Sequence, residues 1–472
     1  MIIYNKYWGE EMTEIAENKM GVMPIPKLLI NMSLPVVISM LVEALYNVID
    51  SIFVAQINEE ALTAVSLAFP IQNLMIAIAV GTGVGMNALL SRSLGEKNFS
   101  NSNRAANNGI FLGFISYCLL VLFGIFFSQA YYTSQTDNAL IIQYGTSYLS
   151  IITIGSIGIF SQIIFERLLQ STGKTFYCMI TQGTGAIINI ILDPILIFGY
   201  FGFPKMGVTG AAIATIIGQT IGGVLAIIIN LRINNEITIN LKGYRPHLQT
   251  IKTIYKVGIP SMMMVSLTSI TTYGINYILL KISTTATAVL GVYHKLQSFA
   301  FMPIYGLNNG MVPIIAYNYG ARNKKRVIKT MKLSIIYSVA FMTLSFIIIQ
   351  LFPGKLLSLF NPSEEMLRIG IPALRIISLS YSLAGFGIVC DSIYMAFGNG
   401  MLSLIVGIAR QLLVLLPAAY ILSLFGDVQL IWWSYFIAEV VSTIFSAIFL
   451  KYIYNQKVIT MEVEEKRVPI IA

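Results

Sequence analysis

Long runs of apolar residues, separated by short polar stretches, recur along almost the whole chain. A helix needs roughly 20 apolar residues to cross a bilayer, and about twelve runs reach that length. The predicted spans are 29–55, 61–90, 106–131, 140–166, 175–200, 208–231, 254–280, 286–317, 333–352, 370–396, 402–424 and 428–453. This pattern predicts an all-α integral membrane protein with twelve transmembrane helices.

The composition supports this prediction. Of the 472 residues, 56% are hydrophobic and 11% are charged, less than half the charged fraction that is usual in soluble domains. The first 27 residues are polar and lack the apolar core of a secretion signal, so we expect no cleavable signal peptide. The three cysteines are too few and too widely spaced for a disulfide framework or a metal site, and we expect neither.

The basic residues indicate the orientation in the membrane. Most of the 30 lysines and arginines lie in alternate connections and near the chain ends, whereas the other connections hold Lys205, Lys281, Lys355 and Arg368. Because basic residues concentrate in cytoplasmic loops, we expect a multi-pass protein of the cell membrane with both termini in the cytoplasm. This distribution explains the net charge of +9 without a nucleic-acid partner.

The chain divides into two halves at its longest polar connection. We predict a cytoplasmic N-terminal segment at 1–27, an N-lobe of six spans at 28–232, a cytoplasmic linker at 233–253, a C-lobe of six spans at 254–455 and a cytoplasmic tail at 456–472. An offset of 225 residues relates the halves, and it pairs Pro35 with Pro260, Gln72 with Gln297, Gly85 with Gly310, Gly95 with Gly320, Asn98 with Asn323, Glu166 with Asp391 and Gly173 with Gly398. Such repeats predict two pseudo-symmetric bundles with a binding site between them, as in an alternating-access carrier.

Polar residues inside the first half suggest a site for a cation or a proton. Asn189 and Asp193 lie four residues apart on one helical face, and Pro194 removes the backbone donor that would bind the carbonyl of Ile190. An ionised carboxylate at membrane depth needs a cavity, a cation or a partner to compensate its cost. A structural kink beside a buried neutral acid is the alternative interpretation.

Depth along the predicted spans brings further polar residues to the same layer. At about 1.5 Å per residue, Asp50, Asp193, Tyr148 and Thr215 all lie roughly 10 Å below the outer surface. Glu43 lies on the same face of its helix as Asp50, deeper in the membrane. Two carboxylates that share a low-dielectric site cannot both stay ionised cheaply. We therefore infer that Asp50 and Asp193 exchange a proton or a sodium ion for a cationic substrate; a purely structural pair stays the alternative.

The second half does not copy this arrangement. Its intramembrane acids are Asp391 and Glu439, and Arg410 is predicted at a depth similar to that of Asp391. We expect a structural ion pair between Asp391 and Arg410, while the role of Glu439 stays open. Glu166, next to Arg167, is interpreted as a structural acid at the membrane edge.

Six segments together resemble the multidrug and toxic compound extrusion (MATE) transporters, and within them the multidrug-efflux branch. The segments are LYNVID at 45–50, LGEKN at 94–98, QSTG at 170–173, NIILDPILIFG at 189–199, GVTGAAIAT at 207–215 and VPIIAYN at 312–318. The resemblance covers nearly the whole chain. It implies two six-helix lobes around a V-shaped cleft, and export of bulky organic cations driven by inward H⁺ or Na⁺. We expect a monomer, although the sequence does not decide the oligomeric state.

The resemblance also implies a set of site residues. The cation site of the family's N-lobe corresponds to Asp50, Asn189, Asp193 and Thr215, with the carbonyl of Ala211 and with Tyr148 beside it; these residues would hold Na⁺ if sodium is the coupling ion. We expect Tyr148, Glu43, Gln72 and Gln297 to line the substrate cavity. No cofactor is expected beyond the coupling ion. The seventh span has no acid, which argues against a second cation site of the kind found in the C-lobe of some sodium-coupled members.

Three other functions are alternatives to drug export. A flippase for lipid-linked intermediates would need several basic residues in the cleft, and apart from Lys256 and Lys451 at span ends the spans contain only Lys295, Arg375 and Arg410. A membrane-embedded enzyme would need a nucleophile or a metal constellation, and no HExxH, GxSxG or CxxC signature is present. A receptor would give no reason for the paired acids. The sequence does not decide between proton and sodium coupling.

Overall fold

The structure, a computed structural model, describes residues 17–240, 244–360 and 362–461. Within these ranges all regular elements are helical, as the hydropathy pattern predicts. The predicted N-terminal segment, linker and tail lie partly outside the described residues, at 1–16, 241–243 and 462–472.

Within the described residues, the first half contains eight helices. In order they are α1 Lys19–Val22, α2 Ile25–Ala55, α3 Glu59–Gly95, α4 Phe99–Gln135, α5 Ala139–Ile154, α6 Ile157–Ser171, α7 Thr175–Phe198 and α8 Val208–Ile233. A short 3₁₀ turn, Tyr200–Gly202, lies between α7 and α8.

The described part of the second half also contains eight helices. They are α9 Leu248–Leu280, α10 Thr284–Gly320, α11 Lys324–Leu351, α12 Pro353–Ser358, α13 Glu364–Ser378, α14 Tyr381–Ala396, α15 Gly400–Ser423 and α16 Val428–Ile459. Helix α15 is π-helical over Ala409–Leu415, and α16 becomes π-helical over Tyr454–Ile459.

Two of the twelve predicted spans are not continuous helices. In the described part of the chain ten helices are long and apolar enough to cross a membrane, and two bent pairs raise the number to as many as twelve. The pair α5–α6 bends by 42° and the pair α13–α14 by 49°. At the breaks, the hydroxyls of Ser156 and Ser380 donate to the carbonyls of Thr153 (2.7 Å) and Ile377 (2.6 Å). Hydroxyls that bond the preceding turn compete with the helical ladder, so each of the spans predicted at 140–166 and 370–396 consists of two helices joined at a bend.

The internal repeat is visible in the turns that follow equivalent helices. Lys97 after α3 and Arg322 after α10 both have φ of 55°, a left-handed conformation that is uncommon outside glycine. Gly173 after α6 and Gly398 after α14 have φ of 85° and 80°. Each pair is separated by 225 residues, so the two halves end corresponding helices in the same way.

The two halves pack against each other at one end of the molecule. This end carries the α3–α4, α8–α9 and α10–α11 connections and is called the basic end. A Cβ atom on Gly85 of α3 would lie 2.1 Å from the carbonyl oxygen of Ile254 on α9, and one on Gly310 of α10 would lie 2.9 Å from the backbone nitrogen of Ser33 on α2. Small residues allow helix backbones to approach closely in membranes. The equivalent glycines of the repeat therefore form two symmetry-related contacts between the halves.

The chain segment at 17–24 crosses the basic end and contacts both halves. Asn18 Nδ2 donates to the carbonyl of Thr172 (3.1 Å) in the first half. In the second half, Asn318 Nδ2 and Arg326 Nη2 donate to the carbonyl of Met20 at 2.9 Å and 2.8 Å. This segment thus adds polar contacts to the apolar packing between the halves.

Candidate functional site

Close packing of α7 against α8 builds the centre of the site. A Cβ atom on Gly218 of α8 would lie 2.6 Å from the carbonyl oxygen of Gly185 on α7, so only glycine permits this approach. One helical turn further along α7 is Asn189, and the next turn carries Asp193. The contact brings Thr215 of α8 next to Asn189.

Hydrogen bonds connect the polar side chains of α7 and α8. The Asn189 side chain has both its groups satisfied when its nitrogen donates to Asp193 Oδ2 (3.3 Å) and its oxygen accepts from the Thr215 backbone N–H (3.1 Å). Thr215 Oγ1 donates to the carbonyl of Ala211 (3.0 Å). Asp193 is fully buried and Asn189 is 3% exposed. A carboxylate, an amide, a hydroxyl and a carbonyl therefore converge between α7 and α8.

Asp50 of α2 and Tyr148 of α5 complete this cluster. Asp50 lies close enough to act electrostatically on both Asp193 and Tyr148, and its Oδ1 is buried without a hydrogen-bond partner. Among the described residues no group of three or more His, Cys, Asp or Glu side chains could hold a metal ion. A sodium ion in this cluster would therefore need amide, hydroxyl and carbonyl oxygens besides the two carboxylates.

A cavity of about 660 Å³ lies between the two halves, next to this cluster. Both halves contribute to its wall, and its charged lining residues are Glu43, Glu166, Arg167, Asp391 and Arg410. Asn189 and Thr215 also line the cavity. The cluster around Asp193 and the large cavity therefore share part of their walls.

The four residues predicted to line the substrate cavity lie in different places. Glu43 lines this cavity, and its Oε2 accepts a hydrogen bond from Gln182 Nε2 (2.6 Å). Tyr148 and Gln72 are not among its lining residues. Gln72 Nε2 of α3 donates to the Tyr148 hydroxyl of α5 (3.2 Å), and Tyr148 packs in the apolar core of the first half. Gln297 is not among its lining residues either, and its Oε1 is 3.2 Å from Nδ1 of His294 on the same helix.

The expected ion pair between Asp391 and Arg410 is not the one that the structure forms. Arg410 Nη1 contacts Glu439 Oε2 at 3.5 Å instead, and Asp391 Oδ1 is buried without a hydrogen-bond partner. The π-helical stretch that begins at Ala409 changes the direction in which the side chains of α15 project. Helical spacing alone could not have located the partner of Arg410 on α16.

Glu166 and Arg167 are both buried and line the central cavity. Glu166 Oε1 accepts hydrogen bonds from Thr181 Oγ1 (2.8 Å) and Gln162 Nε2 (3.1 Å). Arg167 Nη1 donates to Asn309 Oδ1 (2.8 Å) in the other half. The internal repeat could have indicated the buried position of Glu166, because its equivalent in the second half is the intramembrane acid Asp391.

Comparison with known sequences identifies the family. The sequence model of the MatE family matches the chain twice, at residues 35–195 and 260–421. The two matches begin at Pro35 and Pro260, the same offset of 225 residues that relates the halves. Together they cover more than half of the chain.

Individual relatives and solved structures agree with this match. The chain is 29% identical over 428 residues to the multidrug export protein MepA of Staphylococcus haemolyticus, covering 90% of this chain and 93% of MepA. It is 28% identical over 400 residues to the FAD transporter of Shewanella oneidensis, covering 84% and 88% of the two chains. A MOP superfamily transporter of Pyrococcus furiosus has a similar fold, with a TM-score of 0.86 at 23% identity over 94% of this chain and 98% of that one.

These similarities exclude the membrane-enzyme interpretation, because the MatE family and the MepA relatives are transporters. A structure that shows the outward-facing conformation of a MATE family multidrug resistance transporter is also similar in fold, with a TM-score of 0.85 at 24% identity over 92% of this chain and 96% of that one. The repeated family match, the helical spans and the two packed halves lead to one conclusion. The chain belongs to the MatE family, as a multi-pass membrane transporter with the MATE fold.

Proposed function

We propose that this protein is a cation-coupled antiporter that exports organic cations from the cell. The observation that carries the proposal is that Asn189 and Thr215 belong both to the carboxylate cluster and to the wall of the large cavity. A change of charge at Asp193 is thereby transmitted to the cavity through one hydrogen-bonded side chain.

The two carboxylates supply the coupling. Asp50 has a buried oxygen without a partner, and Asp193 is fully buried nearby. Both acids cannot stay ionised at this depth without a compensating charge. A proton or a sodium ion that enters from outside provides that charge. Its binding lowers the affinity of the first half for a cationic substrate. Glu43, Tyr46 and Tyr305 on the cavity wall offer a carboxylate and two rings to such a cation.

The packing of the halves supports transport by alternating access. The contacts through Gly85 and Gly310 close the basic end. If the basic end faces the cytoplasm, as the distribution of lysine and arginine predicts, the protein is closed on the inside and its cavity is reached from outside. In a monomer of the cell membrane, the lobes at 28–232 and 254–455 then alternate by separating at these contacts and closing at the opposite end.

Efflux of ethidium from proteoliposomes tests the proposal. The purified protein is placed under an imposed sodium gradient or an imposed proton gradient, and compared with Asp50→Asn and Asp193→Asn. Asp137→Asn is the matched control, since Asp137 is an exposed acid between α4 and α5. We expect one gradient to drive efflux, and both site variants but not the control to lose it. Gradient-driven efflux that survives in both site variants would contradict the assignment.

Export of an anionic nucleotide compound is a second candidate. The observation that favours it is the presence of Arg167 and Arg410 on the cavity wall, because a guanidinium binds phosphate groups well. The FAD transporter of Shewanella oneidensis is a relative over most of the chain. Uptake of FAD into the same vesicles, lost in Arg167→Gln, would support this candidate. Ethidium efflux without any FAD transport would exclude it.

A further inference from the structure

A second cavity lies at the basic end, apart from the cavity between the halves. Its volume is about 550 Å³. It lies between the end of α3, the turn after α10 and the last two turns of α16, and none of its lining residues lines the central cavity. Among the described residues, the charged ones that line it are Arg92, Arg322, Lys457 and the acid Glu96. The described lining therefore carries a net positive charge.

Two of the basic groups are available to a ligand. Arg92 uses its Nε to contact Glu96 Oε1 (2.8 Å), and its guanidinium lies over the ring of Tyr319, 5.1 Å from the ring centre. Within the described residues its Nη atoms make no hydrogen bond, and Lys457 Nζ has no hydrogen-bond or ion-pair partner. The ring holds the guanidinium in place, so its free donors are already oriented for a planar or tetrahedral anion.

The floor of this cavity is rigid and joins the two halves. A Cβ atom on Gly95 would lie 1.9 Å from the carbonyl oxygen of Tyr317, and one on Gly320 would lie 2.1 Å from that of Arg92. Arg92 belongs to the first half, whereas Tyr319 and Lys457 belong to the second. A ligand held by Arg92 and Lys457 would bridge the two halves at the point where their backbones meet.

We propose that this cavity binds the phosphate headgroup of an anionic phospholipid from the inner leaflet, and that the bound lipid favours the arrangement in which the basic end is closed. Basic pockets between transmembrane helices on the cytoplasmic side suit such headgroups. Arginine adds a paired donor geometry that matches phosphate oxygens. The assignment to the inner leaflet rests on the proposed cytoplasmic location of the basic end.

Thermal unfolding of the purified full-length chain in nanodiscs tests the proposal. Discs of phosphatidylcholine alone are compared with discs that also contain phosphatidylglycerol, for the wild type, Lys457→Gln and the double variant Arg92→Gln/Lys457→Gln. Lys451→Gln is the matched control, because Lys451 is an exposed lysine on the same helix outside the cavity. Lipid affinity is measured in parallel by titrating phosphatidylglycerol into protein in detergent. A surface lysine or arginine contributes about fivefold to the affinity for anionic lipid, so the double variant is expected to lose roughly 25-fold.

The expected result is stabilisation by phosphatidylglycerol that is reduced in Lys457→Gln, abolished in the double variant and unchanged in Lys451→Gln. Equal stabilisation of all variants would overturn the proposal. Equal stabilisation by inorganic phosphate would also overturn it, since the ligand would then be a free ion. A third outcome would assign the cavity to the chain's own acids. In that case phosphatidylglycerol does not change the stability of the wild type, but the triple variant Glu462→Gln/Glu464→Gln/Glu465→Gln is less stable than the wild type. Ethidium efflux in phosphatidylcholine vesicles tests the transport function separately.

Discussion

Replacing Gly95 by alanine is expected to open the basic end of the molecule. The new Cβ atom would lie 1.9 Å from the carbonyl oxygen of Tyr317 and 2.9 Å from the backbone nitrogen of Ala321. Both are backbone atoms, which cannot rotate away as a side chain would. Real Cβ atoms do not approach other heavy atoms closer than 3.0 Å, so α3 and α10 must separate by about 1 Å or more.

The size of the effect follows from the cost of overpacking. An extra methyl group in a packed interior costs about 1–3 kcal/mol, which corresponds to a change of roughly 5- to 150-fold in an equilibrium. The cost applies only while the basic end is closed, because the two helix ends do not touch when the halves separate there. Gly183→Ala is the matched control: it gains the same helix propensity, but its Cβ atom would meet nothing within 4 Å.

The separation of the two halves can be measured with spin labels on Ser100→Cys and Lys325→Cys. Both positions are exposed at the basic end and are equivalent in the repeat. Cys118, which is more accessible than the buried Cys178 and Cys390, is replaced by serine to avoid background labelling. Gly95→Ala is expected to shift the distance distribution to longer values, and Gly183→Ala to leave it unchanged.

Two results would refute this reasoning. One is an unchanged distance distribution in a correctly folded Gly95→Ala protein. The other is an equal shift in Gly183→Ala, which would point to helix propensity rather than to the contact. Gly320→Ala provides a second test, since its Cβ atom would lie 2.1 Å from the carbonyl oxygen of Arg92 in the symmetry-related contact. It is expected to shift the distribution in the same direction.

Three further predictions concern single side chains. Asp193→Asn is expected to abolish drug resistance in cells with normal expression, whereas Asp137→Asn keeps it; full resistance in the first variant would contradict the site assignment. Arg410→Ala leaves Glu439 buried without its ion-pair partner and should cost about 3 kcal/mol of stability, while Glu439→Gln costs less, both measured by thermal unfolding in detergent. Burial raises the pKa of the Glu236 carboxyl, against the effect of nearby lysines, so the folded state binds this proton more tightly than the unfolded state. The wild type should therefore lose stability relative to Glu236→Gln as the pH rises from the ordinary carboxyl range through the raised pKa; a pH-independent difference would contradict this.

The carboxylate cluster shows how far the sequence alone could reach. Depth along the spans predicted that Asp50, Asp193, Tyr148 and Thr215 share one layer. In the structure Asn189 bonds Asp193 and Thr215, and Asp50 lies near both Asp193 and Tyr148. The prediction was possible because a helix advances by a constant rise per residue. Depth therefore follows from position in the chain once the spans are known.

The direction in which a side chain points across the bundle could not be obtained in this way. Gln72 and Gln297 are related by the repeat and lie in membrane spans, yet neither lines the central cavity. Arg410 contacts Glu439 because of a π-helical stretch, and the periodicity of the sequence does not predict that stretch. Small rotations of one helix decide such contacts, and they depend on packing against residues far away in the chain.

The sequence by itself therefore determined the number of spans, the repeat and the layer of the buried acids. A bilayer leaves backbone groups no partner except those within a helix, so hydropathy alone dictates where the helices are. Only the tertiary structure decided that two spans are bent, that Glu166 and Arg167 face the cavity, and that a basic cavity joins the halves at one end. These features arise from helix tilts and close backbone contacts between residues hundreds of positions apart, and local periodicity carries no information about them.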